Sequence, residues 1–189
     1  MINIAIFASG EGTNAQNIIN YFFGSEKIRI GLVVSNKSTA NVLNRATAKG
    51  VPTLIIDRNS FYNSTQTIDQ LKSANIDLIV LAGFLWLIPE SLVKAFPNKI
   101  INIHPALLPK FGGKGMYGMK VHEAVIESKV KESGISIHFV NEKYDEGKVI
   151  SQHKCKVDEN DTPETLAHKI HQLEYEFFPA AIEKVMSKI

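Results

Sequence analysis

Short apolar runs alternate along this chain with stretches whose apolar residues recur at helical spacing. Ile2 to Ala8, Ile28 to Ser35, Thr53 to Ile56, Asp77 to Ala82 and Ile100 to Ile103 each predict a strand rich in β-branched residues. Between them, Ala15 to Phe23, Asn41 to Lys49, Phe61 to Ala74 and Pro89 to Ala95 predict helices, the second ended by Gly50 with Pro52 just beyond. Strands separated by helices at this spacing form βαβ units, and runs without polar alternation are buried on both faces.

The second half changes rhythm. Lys110 to Met119 holds four glycines and predicts a mobile loop, followed by a helix from Val121 to Ser128. Gly134 to Val140 and Val149 to Val157 predict two paired strands with Asn141 to Gly147 between them. The last helix starts with Thr162 as N-cap and Pro163 in its first turn, and Leu166, Ile170, Leu173, Phe177 and Ala181 give it a core-facing stripe. The expected fold is therefore α/β: a single domain over 1–189, doubly wound around a mostly parallel sheet, with an antiparallel extension near the C-terminal end.

Composition narrows the class without naming a function. The 189 residues are 44% hydrophobic and 21% charged, ordinary for a globular domain, and the net charge of +2 is spread without a basic run that would mark a nucleic-acid partner. No segment reaches the length of a membrane span, and the N-terminal run lacks a basic leader, so a cytoplasmic protein with no membrane partner is expected. Cys155 is the only cysteine and is read as a half-buried packing residue.

Gly10-Glu11-Gly12-Thr13-Asn14-Ala15 formally fits the dinucleotide-binding glycine pattern between a first strand and a helix. That reading wants an acid after the second strand to hold a ribose, and the chain has Ser35-Asn36-Lys37 there, so a nicotinamide enzyme is disfavoured. Two readings of the stretch stay open. Backbone N–H groups at a helix N-terminus, with Thr13 and Asn14 as side-chain donors, suit a phosphate; a plain tight turn capped by Thr13 would look the same.

Ile100-Ile101-Asn102-Ile103-His104-Pro105 carries the other signal. Strand side chains alternate, so Asn102 and His104 share a face, and Pro105 stops the strand directly after the histidine. Open α/β sheets place their chemistry at such strand ends. A core histidine with its hydrogen bonds satisfied is the plainer alternative. Asp145, before Gly147, lies in a loop that could reach His104 and would then raise its pKa above the ordinary value of about 6.5; as a simple turn residue it would do nothing. The six histidines show no paired zinc spacing and no G-x-S-x-G elbow is present, so no metal and no serine nucleophile are expected. An amide, an imidazole and a carboxylate suit acyl-type transfer through a charged tetrahedral intermediate.

Read in order, Ala8-Ser9-Gly10-x-Gly12-Thr13-Asn14, Val33-x-Ser35-Asn36-Lys37, Leu81-Ala82-Gly83-Phe84, Asn102-Ile103-His104-Pro105-x-Leu107-Leu108-Pro109, His138-Phe139-Val140 and Asp145-x-Gly147 resemble the glycinamide ribonucleotide transformylases of purine biosynthesis. The Asn-Ile-His-Pro-x-Leu-Leu-Pro stretch marks the wider 10-formyltetrahydrofolate transferase superfamily. The resemblance implies a Rossmann-like formyltransferase fold, with 10-formyltetrahydrofolate as co-substrate and 5-phosphoribosylglycinamide as acceptor, in a monomer or homodimer. It implies that Gly12, Thr13 and Asn14 hold the ribonucleotide phosphate, and that Glu174, with His171 one turn earlier, reaches the same substrate. Leu85, Trp86, Leu87 and Ile88, together with Asn141, Glu142, Lys143, Tyr144 and Asp145, would line the folate slot, largely through backbone groups. Asn102 and a charged His104 would stabilise the oxyanion with Asp145 in support, and His138 matches a family histidine near them. Glu174 as a solvated helix carboxylate and His138 as a packed strand residue are the plainer readings.

The chain departs from the family where many members follow Gly-Phe with Met-Arg-Ile-Leu, here Leu85-Trp86-Leu87-Ile88, and where some carry a ligand-contacting arginine, here Ser64. The alternatives are another formyltetrahydrofolate-using transferase or hydrolase, or a non-catalytic binder of phosphorylated metabolites. A tRNA formyltransferase is expected to add a basic C-terminal domain and a formyltetrahydrofolate hydrolase an N-terminal one, which favours the transformylase reading of these residues.

Overall fold

A computed structural model of the chain describes residues 1–187, which divide into two compact units, one over Met1–Ile101 and one from Asn102 onward. The first unit contains β1 (Ile2–Phe7), α1 (Thr13–Tyr21), β2 (Ile28–Ser35), α2 (Asn41–Ala48), β3 (Thr53–Ile55), α3 (Arg58–Tyr62), α4 (Gln66–Ser73), β4 (Leu78–Leu81), α5 (Glu90–Ala95) and the first two residues of β5 (Ile100–His104). The second holds the rest of β5, then α6 (Met119–Glu127), β6 (Glu132–Phe139), β7 (Val149–Lys156) and α7 (Pro163–Met186). Hydrogen-bonded strand neighbours follow the order β3-β2-β1-β4-β5-β6-β7. β1 pairs in parallel with β2 and β4, and β2 with β3, whereas β6 and β7 are antiparallel. This is the α/β, mostly parallel architecture that the alternation predicts.

Burial explains the placement. Every residue of β4 is buried, as are Ile4 to Ala8 of β1 and its exit and Ile100 and Ile101 of β5. Such strands can only run through a sheet covered on both faces. β7 instead alternates exposed and half-buried positions, the pattern of an outer strand with one wet face.

Some boundaries differ from those predicted. The single helix expected over Phe61 to Ala74 is two, α3 and α4, interrupted at Asn63 to Thr65. Asp57 starts the first with a capping box, its Oδ1 accepting from Asn59 N–H at 2.7 Å and Ser60 N–H at 2.9 Å. The break follows because Ser64 and Thr65 turn their hydroxyls to local partners, Ser60 O and Asp69 Oδ2. α1 begins at Thr13, two residues before the predicted start, and α6 at Met119 instead of Val121. α7 starts as expected, with Thr162 as cap and Pro163 inside the first turn. Among the described residues no helix is long and apolar enough to cross a membrane.

Candidate active site

In the first unit the loop leaving β1 is fastened at three points. Ser9 Oγ donates to Asn36 Oδ1 at 2.6 Å and accepts from Leu85 N–H at 3.0 Å, while Ser9 N–H donates to Gly83 O. Val42 N–H of α2 donates to Gly10 O at 3.1 Å, and Arg45 Nε donates to Glu11 O at 2.7 Å. Asn36, where a dinucleotide enzyme would need a carboxylate, is thus a structural acceptor.

Gly12 is the N-cap of α1, in the left-handed region at φ 72°. A Cβ there would overlap Val42 Cβ and Cγ2 and stand 2.8 Å from Val42 Cα, so the position requires glycine for both its torsion and its neighbour. Thr13 is therefore inside the helix, and the reading of it as the cap is not what the structure has; α1 starts with no side-chain cap at all. α1 thus starts from a loop whose course is fixed, and the N–H groups of a helix's first turn suit an anion.

Ser9 also joins this loop to the segment after β4. Leu85 is 42% exposed, Trp86 and Leu87 are half-buried, and Ile88 is buried. Tyr62 OH donates to Leu87 O at 3.0 Å, and Trp86 lies among Phe61, Tyr62 and Phe84 with the Arg58 guanidinium 5.1 Å above its ring. The loop that leads to Gly12, Thr13 and Asn14 and the segment that begins at Gly83 are thereby fastened to each other through Ser9.

In the second unit the structure assembles the predicted trio. Asp145, at φ 55°, directs Oδ2 to His104 Nδ1 at 3.5 Å and Oδ1 to Asn102 Nδ2 at 3.4 Å. His138 Nδ1–H donates to Phe139 O at 2.8 Å, which leaves Nε2 to accept from Asn102 Nδ2 at 3.1 Å. Both hydrogens of the Asn102 amide therefore have partners. His104 Nε2–H donates to Phe111 O at 2.7 Å, and Gly113 N–H donates to Asp145 Oδ2 at 2.9 Å. The glycine-rich loop expected to be mobile thus closes on the trio from residues 111 and 113, with Phe111 itself at φ 57°.

The expected rise in the His104 pKa is not found. The ring is 3% exposed, and burial pushes its pKa below 6.5. Asp145 and the Phe111 carbonyl pull it back up without restoring it, and His138 adds a small push downward. The sequence names the partner but not the desolvation, and here desolvation wins. Burial pushes the Asp145 carboxyl up, yet the neighbouring His138 and His104 rings and the Gly113 N–H together outweigh it and hold the carboxyl below 3.8.

Of the remaining predicted residues, Asn141, Glu142, Lys143 and Tyr144 form the loop that delivers Asp145, tightened by Lys143 N–H donating to Asn141 Oδ1 at 3.0 Å. Glu174 is only 6% exposed, which rules out the solvated-carboxylate reading. His171 is exposed on the same helix and lies near Tyr175, ring centroids 6.3 Å apart. His138 is integral to the trio and not merely packed. Cys155 is half-buried as expected, and burial raises its pKa.

Further residues surround the trio. His122 of α6 is 3% exposed with Nδ1 unpartnered, and burial, then His171 and His104, lower its pKa to about 4. Phe111, Gly113, Ser136 and Gln152 also act here, and only Ser136 carried a signal, as a polar residue between Ile135 and Ile137 in a buried strand. Among the described residues no cluster of histidine, cysteine or acidic side chains could hold a metal ion.

Residues 2–182 match the formyl transferase family. Among curated relatives, the chloroplastic phosphoribosylglycinamide formyltransferase of Arabidopsis thaliana is 42% identical over 96% of this chain and 65% of its own length, and that of Vigna unguiculata is 40% identical over 59% of its own length. The chain thus spans less than two thirds of those plant relatives. The phosphoribosylglycinamide formyltransferase of Bacillus subtilis is 36% identical over 98% of this chain and 95% of its own. The crystal structure of the Bacillus halodurans phosphoribosylglycinamide formyltransferase superposes with a TM-score of 0.88 at 37% identity, covering 98% of this chain and 96% of that one.

Proposed function

This chain belongs to the formyl transferase family, and on that premise we propose that it transfers a formyl group from 10-formyltetrahydrofolate to the amine of 5-phosphoribosylglycinamide in de novo purine biosynthesis. The observation that carries the reading is the meeting of Asn102, His104 and Asp145 at the end of β5, each within 3.5 Å of another member. The amine attacks the formyl carbon, a carbon–nitrogen bond forms, and the formyl oxygen takes up negative charge. Collapse of this intermediate breaks the bond to the folate nitrogen, which takes up a proton as the amine loses one. No covalent enzyme intermediate is needed.

Asn102 donates to the developing oxyanion by giving up its longer bond, the one of 3.4 Å to Asp145. His104 turns its Nε2–H from the Phe111 carbonyl to the same oxygen and relays the proton. Asp145 supports the imidazolium that the intermediate calls for. A buried ring held below its ordinary pKa gains a proton readily only when negative charge develops beside it, so charge on His104 follows the chemistry.

In this reading Gly12, Thr13 and Asn14 hold the phosphate and His171 and Glu174 the rest of the ribonucleotide. Leu85 to Ile88 of the first unit and, separately, Asn141 to Asp145 of the second are the residues assigned to the folate, and residues 1–189 act as one formyltransferase domain. The enzyme works in the cytoplasm as a monomer or homodimer, with no nucleic-acid or membrane partner and no metal. A spectrophotometric assay with 5-phosphoribosylglycinamide and a 10-formyl folate analogue tests it. Ribonucleotide-dependent loss of the formyl group is the expected result; ligand binding without turnover would leave only a binder of phosphorylated metabolites.

A further inference from the structure

The segment leaving β5 is tied to the β6–β7 hairpin by two polar side chains that face each other across the ladder, Ser136 and Gln152. The fully buried Ser136 hydroxyl donates to Ala106 O at 2.7 Å and accepts from Leu108 N–H at 2.9 Å. Gln152 Nε2 donates to that same hydroxyl oxygen at 2.8 Å and to Leu108 O at 2.9 Å. One hydroxyl hydrogen and both lone pairs are thereby used, and so are both hydrogens of the Gln152 amide. The knot fixes residues 106 to 108 at both polar groups of Leu108.

From Leu108 the restraint passes to the trio. A Cβ on Gly112 would overlap Leu108 Cδ2 and stand 3.3 Å from Asp145 Cβ, so the Leu108 side chain lies directly against the glycine next to both loop contacts. Its neighbours, Phe111 and Gly113, supply the carbonyl on His104 and the N–H on Asp145. Where Leu108 sits therefore sets where those two groups sit.

We propose that Gln152 is a positioning residue for the His104–Asp145 pair, acting through Ser136 and the Leu108 carbonyl on the turn from which Phe111 and Gly113 reach that pair. Its kinetic consequence rests on the formyl-transfer reading; its structural one does not. Gln152 lies exposed on β7, outside the apolar core, so its replacement leaves the packing in place. Losing its donors frees Leu108 O, loosens residues 106 to 113 and lengthens the bond from His104 to Phe111 O. That bond favours the charged ring, so the His104 titration moves to lower pH. Asp145, His138 and His122, the other titratable groups acting on His104, are the same in both proteins.

The test compares the wild-type chain with Q152A and Q152M, the second filling similar space without an N–H and without a charge. Both variants are expected to lower kcat roughly three- to tenfold, the loss of about one hydrogen bond's worth of alignment. KM for both substrates stays within about twofold and the Tm within a few degrees. Imidazole NMR of His104 shows its midpoint at lower pH in both variants. An unmoved His104 titration, or a kcat that falls only in step with the folded fraction, overturns the proposal. If the wild type transfers no formyl group, the functional reading fails, and the NMR titration still decides the role of Gln152.

Discussion

Gly12→Ala should be costly at the one position where two independent constraints meet. The φ of 72° places an alanine in the left-handed region, at about 1–2 kcal/mol. The added methyl also overlaps Val42 Cβ and Cγ2 and stands 2.8 Å from its Cα. Rotation of the valine relieves only the Cγ2 overlap; the Cα belongs to α2, and Val42 N–H ties α2 to the loop through Gly10 O at 3.1 Å. Overpacking of this kind adds about 1–3 kcal/mol, for a total near 2–5 kcal/mol. In a chain of this size that is a Tm loss of roughly 5–15 °C, measured by thermal unfolding followed by circular dichroism. Val42→Ala carries a penalty of its own because the valine is fully buried, so the double-mutant cycle is read for its coupling, which should recover only the Cγ2 share of the overlap. If the loop yields instead of the fold, the KM for the ribonucleotide rises while the Tm holds. A Gly12→Ala protein with wild-type Tm and wild-type KM would refute both the tight approach and the role of this loop.

Asn102→Ala should lower kcat about a hundredfold, the effect of one oxyanion donor at about 3 kcal/mol; a loss below tenfold in steady-state turnover counts against that role. Asp145→Asn removes the charge that favours the His104 imidazolium, so the limb of the pH–rate profile that reports His104 should move to lower pH. A profile unchanged by Asp145→Asn would take the carboxylate out of the mechanism. His122 is one source of acid sensitivity: burial lowers its pKa to about 4 in the fold against an ordinary 6.5, so the unfolded chain binds a proton in that window that the native chain does not. Its contribution is intact above about 6.5 and is lost as pH falls towards 4, amounting to about 1–2 kcal/mol between pH 7 and pH 5 after allowing for polar surroundings. His122→Gln should therefore shrink the Tm difference between those two pH values, and an equal difference in both proteins would refute it.

Periodicity located the strands because β2, β4 and β5 are apolar for packing reasons that are local to each run. Thr162 and Pro163 marked the start of α7 for an equally local reason, the capping chemistry of the first turn. The same chemistry was present in Asp57-x-x-Ser60, yet the apolar spacing from Phe61 onward hid a helix break made by side-chain hydroxyls. Asn102 and His104 were legible because strand alternation fixes a shared face. Asp145 was legible only as a group within reach, since its contacts span 41 residues to His104 and 43 to Asn102. The direction of the His104 pKa was not legible, because it depends on how completely residues distant in sequence exclude water. Phe111 and Gly113 act through backbone atoms that every residue owns, and so carry no compositional mark.

The carbonyl of Phe111 has a bearing on selectivity. An oxygen that reaches His104 Nε2 must displace another carbonyl oxygen already 2.7 Å away. A neutral formyl oxygen is chemically its near equal and gains little from the substitution. An oxygen bearing a full negative charge binds the same hydrogen far more strongly. On the formyl-transfer reading, the incumbent acceptor works as a threshold, passing over the substrate as it arrives and yielding to the species at the top of the barrier, which is how binding is turned into rate.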